Sequence, residues 1–406
     1  MPEVQASHRN EPVLRMLCIT NTPPVPSWGG AMTFYRHFVE RPEFEVAVAT
    51  TDTAAIKTYR ERLSYPVYQL RNGRVRDRLL RTRFGEKLHT RDHLQRGKRV
   101  SKSLLDFCSN FRPDAIFTVG GSWLWTARLA STVADRLNIP LIGSFNDWWS
   151  YNQIFEESQA ENIEEEFRNF YRRCDLALCT SEGMQQELGP HPNSAIWYPT
   201  GAQTDQIPEL LVPSSPYQVA FAGNLGEWYG TMVQQVIEHA SDASAAVQFR
   251  IFGSRPNWSP SFKQEAEQNG TFRGQVSFDQ LRREIREADA LLLPMGFDAS
   301  CELVERTSFK TKFLDYLAFG RPIIVWGPEY CSAVKVAREF DSAEVCTSPK
   351  PADAMAAIAN VSQSVDRQRI LVDNARKMYE DRFHPDKIHG MLVQRVRTMI
   401  QNGKKF

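Results

Sequence analysis

Between Thr307 and Pro328 the chain reads TSFKTKFLDYLAFGRPIIVWGP. Two lysines, Lys310 and Lys312, stand with a Thr-Ser pair, with Thr311 and with the acid Asp315. Phe313, Leu314, Leu317 and Ala318 then repeat along one side of a helix. Gly320 falls where a C-cap glycine belongs, Pro322 follows it, and Ile323 to Trp326 read as a buried strand. The polar residues therefore gather at a helix N-terminus. Free N–H groups and the positive end of the helix dipole suit that position to a phosphate. A plain amphipathic helix with a solvated charged end reads equally well from these residues alone.

Other loops add weight to the phosphate reading. The stretch TNTPPVPSWGGAMTFYRHF follows the first strand-like run and places Gly29 and Gly30 before a helix. Later runs end at Gly223 in AFAGNLGEWYGTM, at Gly253 in RIFGSRPNW and near Pro294 in LLLPMGFDAS. A glycine lets backbone approach a ligand closely and leaves the next helix's amides open. Three such loops and the 307–328 stretch are expected to surround one crevice. The spacing is not that of a nicotinamide-type dinucleotide loop, and no Gly-Lys-Ser/Thr phosphate loop occurs.

These residues must be carried by alternating strands and helices. In the first half the strand candidates are RMLCIT, FEVAVAT, PVYQL, DAIFTV, IPLIGSF, DLALCTS and SAIWYP. In the second they are QVAFAG, VQFRIFG, GQVSF, ALLLPM, PIIVW and AEVCTS. The pattern predicts two doubly wound halves with parallel sheets, as a length of 406 residues also suggests. The expected division is a first domain over 1–203, a Pro-, Ser- and Thr-rich linker over 204–217 and a second domain over 218–383. A C-terminal helix over 384–406 completes it, free to cross back to the first domain.

A net charge of +1 gives no global field for nucleic acid. Seven scattered cysteines contain no Cys-x-x-Cys and read as reduced, buried thiols. No metal-ligand cluster is expected, and the histidines read as surface or core residues. The N-terminal MPEVQASHRNEPVLRM has no long apolar core, so no signal peptide is expected, and no run approaches a membrane span. A cytoplasmic protein is the expectation. Between Arg71 and Lys102, twelve basic residues stand against three acidic ones, a local charge of +9 interspersed with Leu and Phe. Two readings stay open: peripheral contact with an anionic membrane at its inner face, or pairing with the Glu-rich run IFEESQAENIEEEF. Trp123, Trp125, Trp148 and Trp149 read either as sugar-stacking or as core aromatics.

The order of these motifs resembles the GT-B glycosyltransferases, particularly the retaining, nucleotide-sugar-dependent family 4 type. The likeness spans nearly the whole chain. It is carried by FAGNLG, FRIFGS, the Ala288-Asp289 pair before ALLLP, and SFKTKFLDYLAFGRPII, with PPVPSWGG, NIPLIGSFNDWW and CDLALCTSE in the first half. It implies an α/β GT-B architecture of two Rossmann-like parallel-sheet domains facing a central cleft. It further implies sugar transfer from a nucleoside diphosphate sugar to a carbohydrate or lipid-linked acceptor in polysaccharide or glycoconjugate synthesis, with neither metal nor further cofactor. Asp315 would bind the ribose hydroxyls. Amides around Thr311 and Lys312, with Ser308 beside them and Lys310 or Lys312 as counter-charge, would hold the diphosphate. Gly223, Asn224, Phe252, Gly253 and Ser254 would line the donor site, Gly29 and Gly30 would approach from the other domain, and Asp147 would face sugar and acceptor.

The sequence also departs from that family. Its usual acid eight places before Asp315 is Thr307 here, leaving Glu305 as the nearer catalytic candidate and Glu302 beyond it. The loop GNLGEWYG lacks the family's basic residues. A non-catalytic nucleotide-sugar or partner-binding protein, and a GT-B epimerase or phosphorylase, are the rival expectations.

Overall fold

In this computed structural model the described residues are 12–27, 29–70, 82, 84–121, 123–152, 155–201, 204, 207–242 and 247–403. The expected basic segment 71–102 therefore lies partly outside them, at 71–81 and 83, as does part of the linker. The chain forms two compact units, one of Met1–Tyr198 with His389–Phe406, the other of Pro199–Ile388.

The first unit is built on seven strands: β1 (Leu14–Ile19), β2 (Phe44–Thr50), β3 (Val67–Gln69), β4 (Ala115–Gly120), β5 (Leu141–Phe145), β6 (Leu176–Cys179) and β7 (Ser194–Ile196). They lie side by side in the order β3-β2-β1-β4-β5-β6-β7, every pair parallel. The inner strands are almost wholly buried apolar runs, as a sheet covered on both faces requires, while the edge strands β3 and β7 are only partly buried. Phe34 and Phe38 from the helix Gly30–Phe38 pack edge-on against Phe117 at 5.1 and 4.8 Å, and Trp197 joins them. The C-terminal helix Pro385–Gly403 supplies His389 to this unit. The His389 ring stacks on His37, with their Nδ1 atoms 3.2 Å apart, while its Nε2 lies 3.1 Å from Glu43. Burial first, then His389 and the nearby Arg41 and Arg36, holds the His37 pKa well below the usual value.

The second unit has six strands: β8 (Tyr217–Asn224), β9 (Val247–Ser254), β10 (Phe272–Gly274), β11 (Ala290–Pro294), β12 (Ile323–Trp326) and β13 (Glu344–Cys346). Their order is β10-β9-β8-β11-β12-β13, again all parallel. The order reverses between β8 and β11, as it does between β1 and β4 in the first unit. Crevices that accept ligands open at such points, beyond the C-terminal strand ends. Twelve of the thirteen strands coincide with the expected runs to within a few residues. The exception is GQVSF. The strand there is Phe272–Gly274, closed by the positive φ of Gly274, and Ser277 instead caps the helix Phe278–Glu287 by accepting from the Gln280 amide.

The Ala288-Asp289 pair has a structural task. Asp289, 3% exposed, accepts from the Ser214 amide at 3.0 Å, the Ser214 hydroxyl at 3.2 Å and the Gln218 amide at 2.7 Å. It thus fastens the segment entering β8 to the start of β11. Asp289→Ala leaves the buried Gln218 N–H without this acceptor. A loss of about 2–3 kcal/mol in urea unfolding is expected, and a change under about 0.5 kcal/mol would contradict the assignment.

Candidate active site

The second unit's crevice is framed by the loops after β8 and β11 and by the stretch from Thr307 to Pro328. Gly223 and Gly253 are register partners at the ends of β8 and β9. A Cβ on Gly253 would collide with the Gly223 carbonyl oxygen, so the two strand ends touch backbone to backbone. A Cβ on Gly223 would meet the Lys312 side chain instead. The space that glycine leaves is thus filled by a cation. Lys312 Nζ stands 4.3 Å from the centre of the Phe221 ring.

Two other features fix that lysine's helix. The Ala222 amide donates to Tyr316 Oη at 3.1 Å, joining the helix Thr311–Leu317 to the end of β8. Gly320, at φ +62°, lets the chain turn back beneath the Pro208 carbonyl, whose oxygen a Cβ would strike. The expected helix, turn and strand therefore form, but the helix is short, and no side chain caps its N-terminus.

The two lysines are in opposite electrostatic states. Lys310 Nζ lies 3.0 Å from Glu305 Oε2, and Glu305 Oε1 accepts from Tyr229 Oη at 2.5 Å and from the Gly296 amide at 3.3 Å. Burial works to lower the Lys310 pKa, but Tyr229 and Glu305 prevail and hold it well above its usual value. Lys312 has no ion-pair partner among the described residues. Burial, followed by repulsion from Lys310, lowers its pKa to about 7, with Asp315 opposing in part.

Thr307, at the place where an acid was expected, is buried and turns its hydroxyl back to the Leu303 carbonyl at 2.8 Å. Ser308 is buried too, and its amide continues the helix Glu302–Thr307. Thr311 and Asp315 are half-buried at the start and middle of the next helix. Asn224 and Ser254 are exposed register partners, with Asn224 Oδ1 accepting from the Gly226 amide. Phe252, expected to line the donor site, is 2% exposed. Tyr229 was not singled out from the sequence. It stands within the quoted loop GNLGEWYG, and its hydroxyl supplies a polar partner where a basic residue was sought.

In the first unit, Gly29 has φ +59° and leads into the helix Gly30–Phe38 with open space where a Cβ would stand. Gly29 and Asp147 are exposed. Trp148 and Trp149 are buried, Trp148 against Phe167 at 5.1 Å, so both belong to the core. Trp125 is buried beneath the Arg96 guanidinium at 3.6 Å, whereas Trp123 is 40% exposed. Glu166 and Glu164 pair with Arg128 and Arg168, outside the basic segment. His89 and His93, four residues apart on one helix, are both buried beside Phe155, a spacing the sequence displays. Among the described residues no group of three or more His, Cys, Asp or Glu could hold a metal, and no helix is long and apolar enough to cross a membrane.

Solved structures share this architecture. HepE of Anabaena, in complex with UDP, superposes with a TM-score of 0.64 at 13% identity, over 95% of this chain and 100% of that one. A glycosyltransferase from Rickettsia africae gives 0.63 at 12% identity, over 96% and 99%. CalG4, the calicheamicin glycosyltransferase, gives 0.52 at 12%, over 96% and 98%. At these identities the likeness establishes the fold. No curated protein sequence matches the chain. Residues 31–197 match the family model Glycosyltransferase Family 4, and residues 216–363 match Glycosyl transferases group 1. Together the two models span more than three quarters of the chain. The chain belongs to the GT-B glycosyltransferases of family 4 type. The second of these models covers every loop of the crevice around Lys312, and the first covers Asp147 and nearly all of the helix that begins at Gly30.

The state of Lys312 in this glycosyltransferase has a measurable consequence. Its folded pKa lies below the unfolded value near 10.5, so the folded chain carries the full cost of the charge below pH 7. That cost is relieved as pH rises from 7 towards 10.5. Lys312→Met is therefore expected to raise the melting temperature most at pH 6, with the gain shrinking through pH 8 and 9. A gain independent of pH would contradict this placement of the lysine.

Proposed function

We propose that this glycosyltransferase moves a sugar from a nucleoside diphosphate sugar to an acceptor hydroxyl, with retention and without a metal, in polysaccharide or glycoconjugate synthesis. The observation that carries the reading is Lys312. It is a cation without an ion-pair partner among the described residues, set against the glycine-ended strand at the point where the strand order reverses. Lys312 is half-buried, and such a site tolerates a charge when an anion of the substrate answers it. The UDP in the distantly similar HepE supports a nucleoside diphosphate as that anion.

In this reading the diphosphate leaves as its bond to the anomeric carbon breaks. The acceptor oxygen bonds to that carbon, and the hydroxyl proton is released. Lys312 and the amides near Thr311 stabilise charge on the departing diphosphate, an electrostatic role that needs no metal. The sequence carries no Asp-x-Asp pair of the kind that chelates a divalent ion. Asp315 binds the ribose hydroxyls. Ser308, Gly223, Asn224, Gly253 and Ser254 border the donor. Gly29, Gly30 and Asp147 serve the sugar and acceptor.

Lys312→Ala is expected to weaken nucleoside diphosphate binding by about 1.5–3 kcal/mol in calorimetry. Asp315→Ala is expected to weaken nucleosides and nucleotides alike. Retention of nucleoside affinity in the Asp315 variant would remove the ribose assignment.

For a lipid-linked acceptor, the basic segment 71–102 is proposed to meet an anionic membrane surface, each basic residue contributing about 1 kcal/mol there. Co-sedimentation with anionic vesicles is expected to be salt-sensitive and lost when Arg74, Arg76, Arg78 and Arg81 become Ser. Absence of binding by the unaltered chain at low salt would end that proposal.

A further inference from the structure

Glu305 is the acid nearest the position where the resemblance placed a catalytic one, but its surroundings suit another task. Its side chain has no solvent exposure. Its oxygens reach three separate elements. Tyr229 belongs to the first turn of the helix Glu227–Asp242 after β8, Gly296 to the loop after β11, and Lys310 to the loop before the helix Thr311–Leu317. These are the loops that frame the switch point of the sheet. A carboxylate so enclosed has no open side for a sugar, but it sets where all three loops stand. It also sets which lysine is available. Lys310 lies 3.0 Å from Glu305, with its ammonium 5.5 Å from the Tyr229 ring centre, whereas Lys312 turns to Gly223 and the Phe221 face.

We propose that Glu305 and Tyr229 are positioning residues of the donor site: they bind the three loops together and hold Lys310 as an internal counter-charge, leaving Lys312 to meet the diphosphate. This rests on the reading of the crevice as a nucleoside diphosphate site. Lys310 then acts on the donor only through Glu305. Removing it alone strands a buried carboxylate beside an anionic ligand and deforms the loop. Removing both charges relieves that conflict, because the amide oxygen introduced by Glu305→Gln can still accept from Tyr229 and from Gly296.

The test is a cycle of variants on the full chain, with UDP, GDP, ADP, CDP and dTDP as probes in calorimetry. Lys310→Met is expected to bind the preferred diphosphate at least tenfold more weakly than the unaltered chain, or to fail to fold. Lys310→Met with Glu305→Gln is expected to fold and to recover the Kd to within about threefold. A folded double variant that still binds tenfold or more weakly overturns the proposal, since Lys310 would then touch the phosphates itself. Tyr229→Phe, which removes only a hydroxyl, provides a second reading. Its Kd is expected to rise three- to tenfold with a folded spectrum, and an unchanged Kd also overturns the proposal. If the unaltered chain binds none of the five diphosphates, the donor-site reading falls and the proposal falls with it. Diphosphate binding without rescue in the double variant removes the proposal alone.

Discussion

Three loops at the edge of the second sheet converge on one enclosed carboxylate. Glu305 takes a phenol from 76 positions earlier in the chain, and an amide and an ammonium from the segments just before and just after it. Enclosing an acid is costly unless its oxygens are met by donors and by an opposite charge. Once those partners are required, the helix after β8, the loop after β11 and the loop at Lys310 have little freedom left. The crevice at the reversal of strand order is therefore shaped by an interaction beneath its surface. Its exposed residues inherit their places from that buried one.

The glycines at the same edge express a second constraint of space. Gly223 and Gly253 bring two strand ends so close that the carbonyl of one fills the side-chain position of the other. The remaining side-chain position, at Gly223, is taken by the end of Lys312. Charge and shape are thus joined: the cation's place is the volume that a glycine gives up. Burial next to Lys310 then makes that charge easy to lose near neutrality.

Much of this was legible in the sequence, because the signals were local. Buried parallel strands read as short apolar runs, and twelve of thirteen were found that way. The strand near Gly274 was misplaced because QVSF has strand composition, while Ser277 acts as a helix cap. Gly223, Gly253, Lys310, Lys312 and Glu305 are drawn to one edge, and their glycine and charge types announced it. What the residues could not convey was pairing across long separations. Glu305 and Tyr229 are 76 positions apart, so no local pattern joins them. Glu305 and Lys310 are close in the chain, but their types and spacing do not show which of the two lysines turns to that acid. The tryptophans at 148 and 149 are polar enough at the ring nitrogen to suggest a sugar platform, and only packing against Phe167 assigns Trp148 to the core.

The first unit is made from two pieces of chain, residues up to Tyr198 and residues from His389 onward. His389 closes over His37 and Phe44, and Leu392 and Val396 are fully buried behind it. The second unit, by contrast, is one continuous stretch. On the ribosome the order of completion therefore runs against the order of the sequence. Residues 199–388 can finish their core while the earlier-made unit still waits with an apolar face uncovered. That face is covered only once the residues from His389 onward have also been made, so the amino-terminal half becomes whole after the half that follows it.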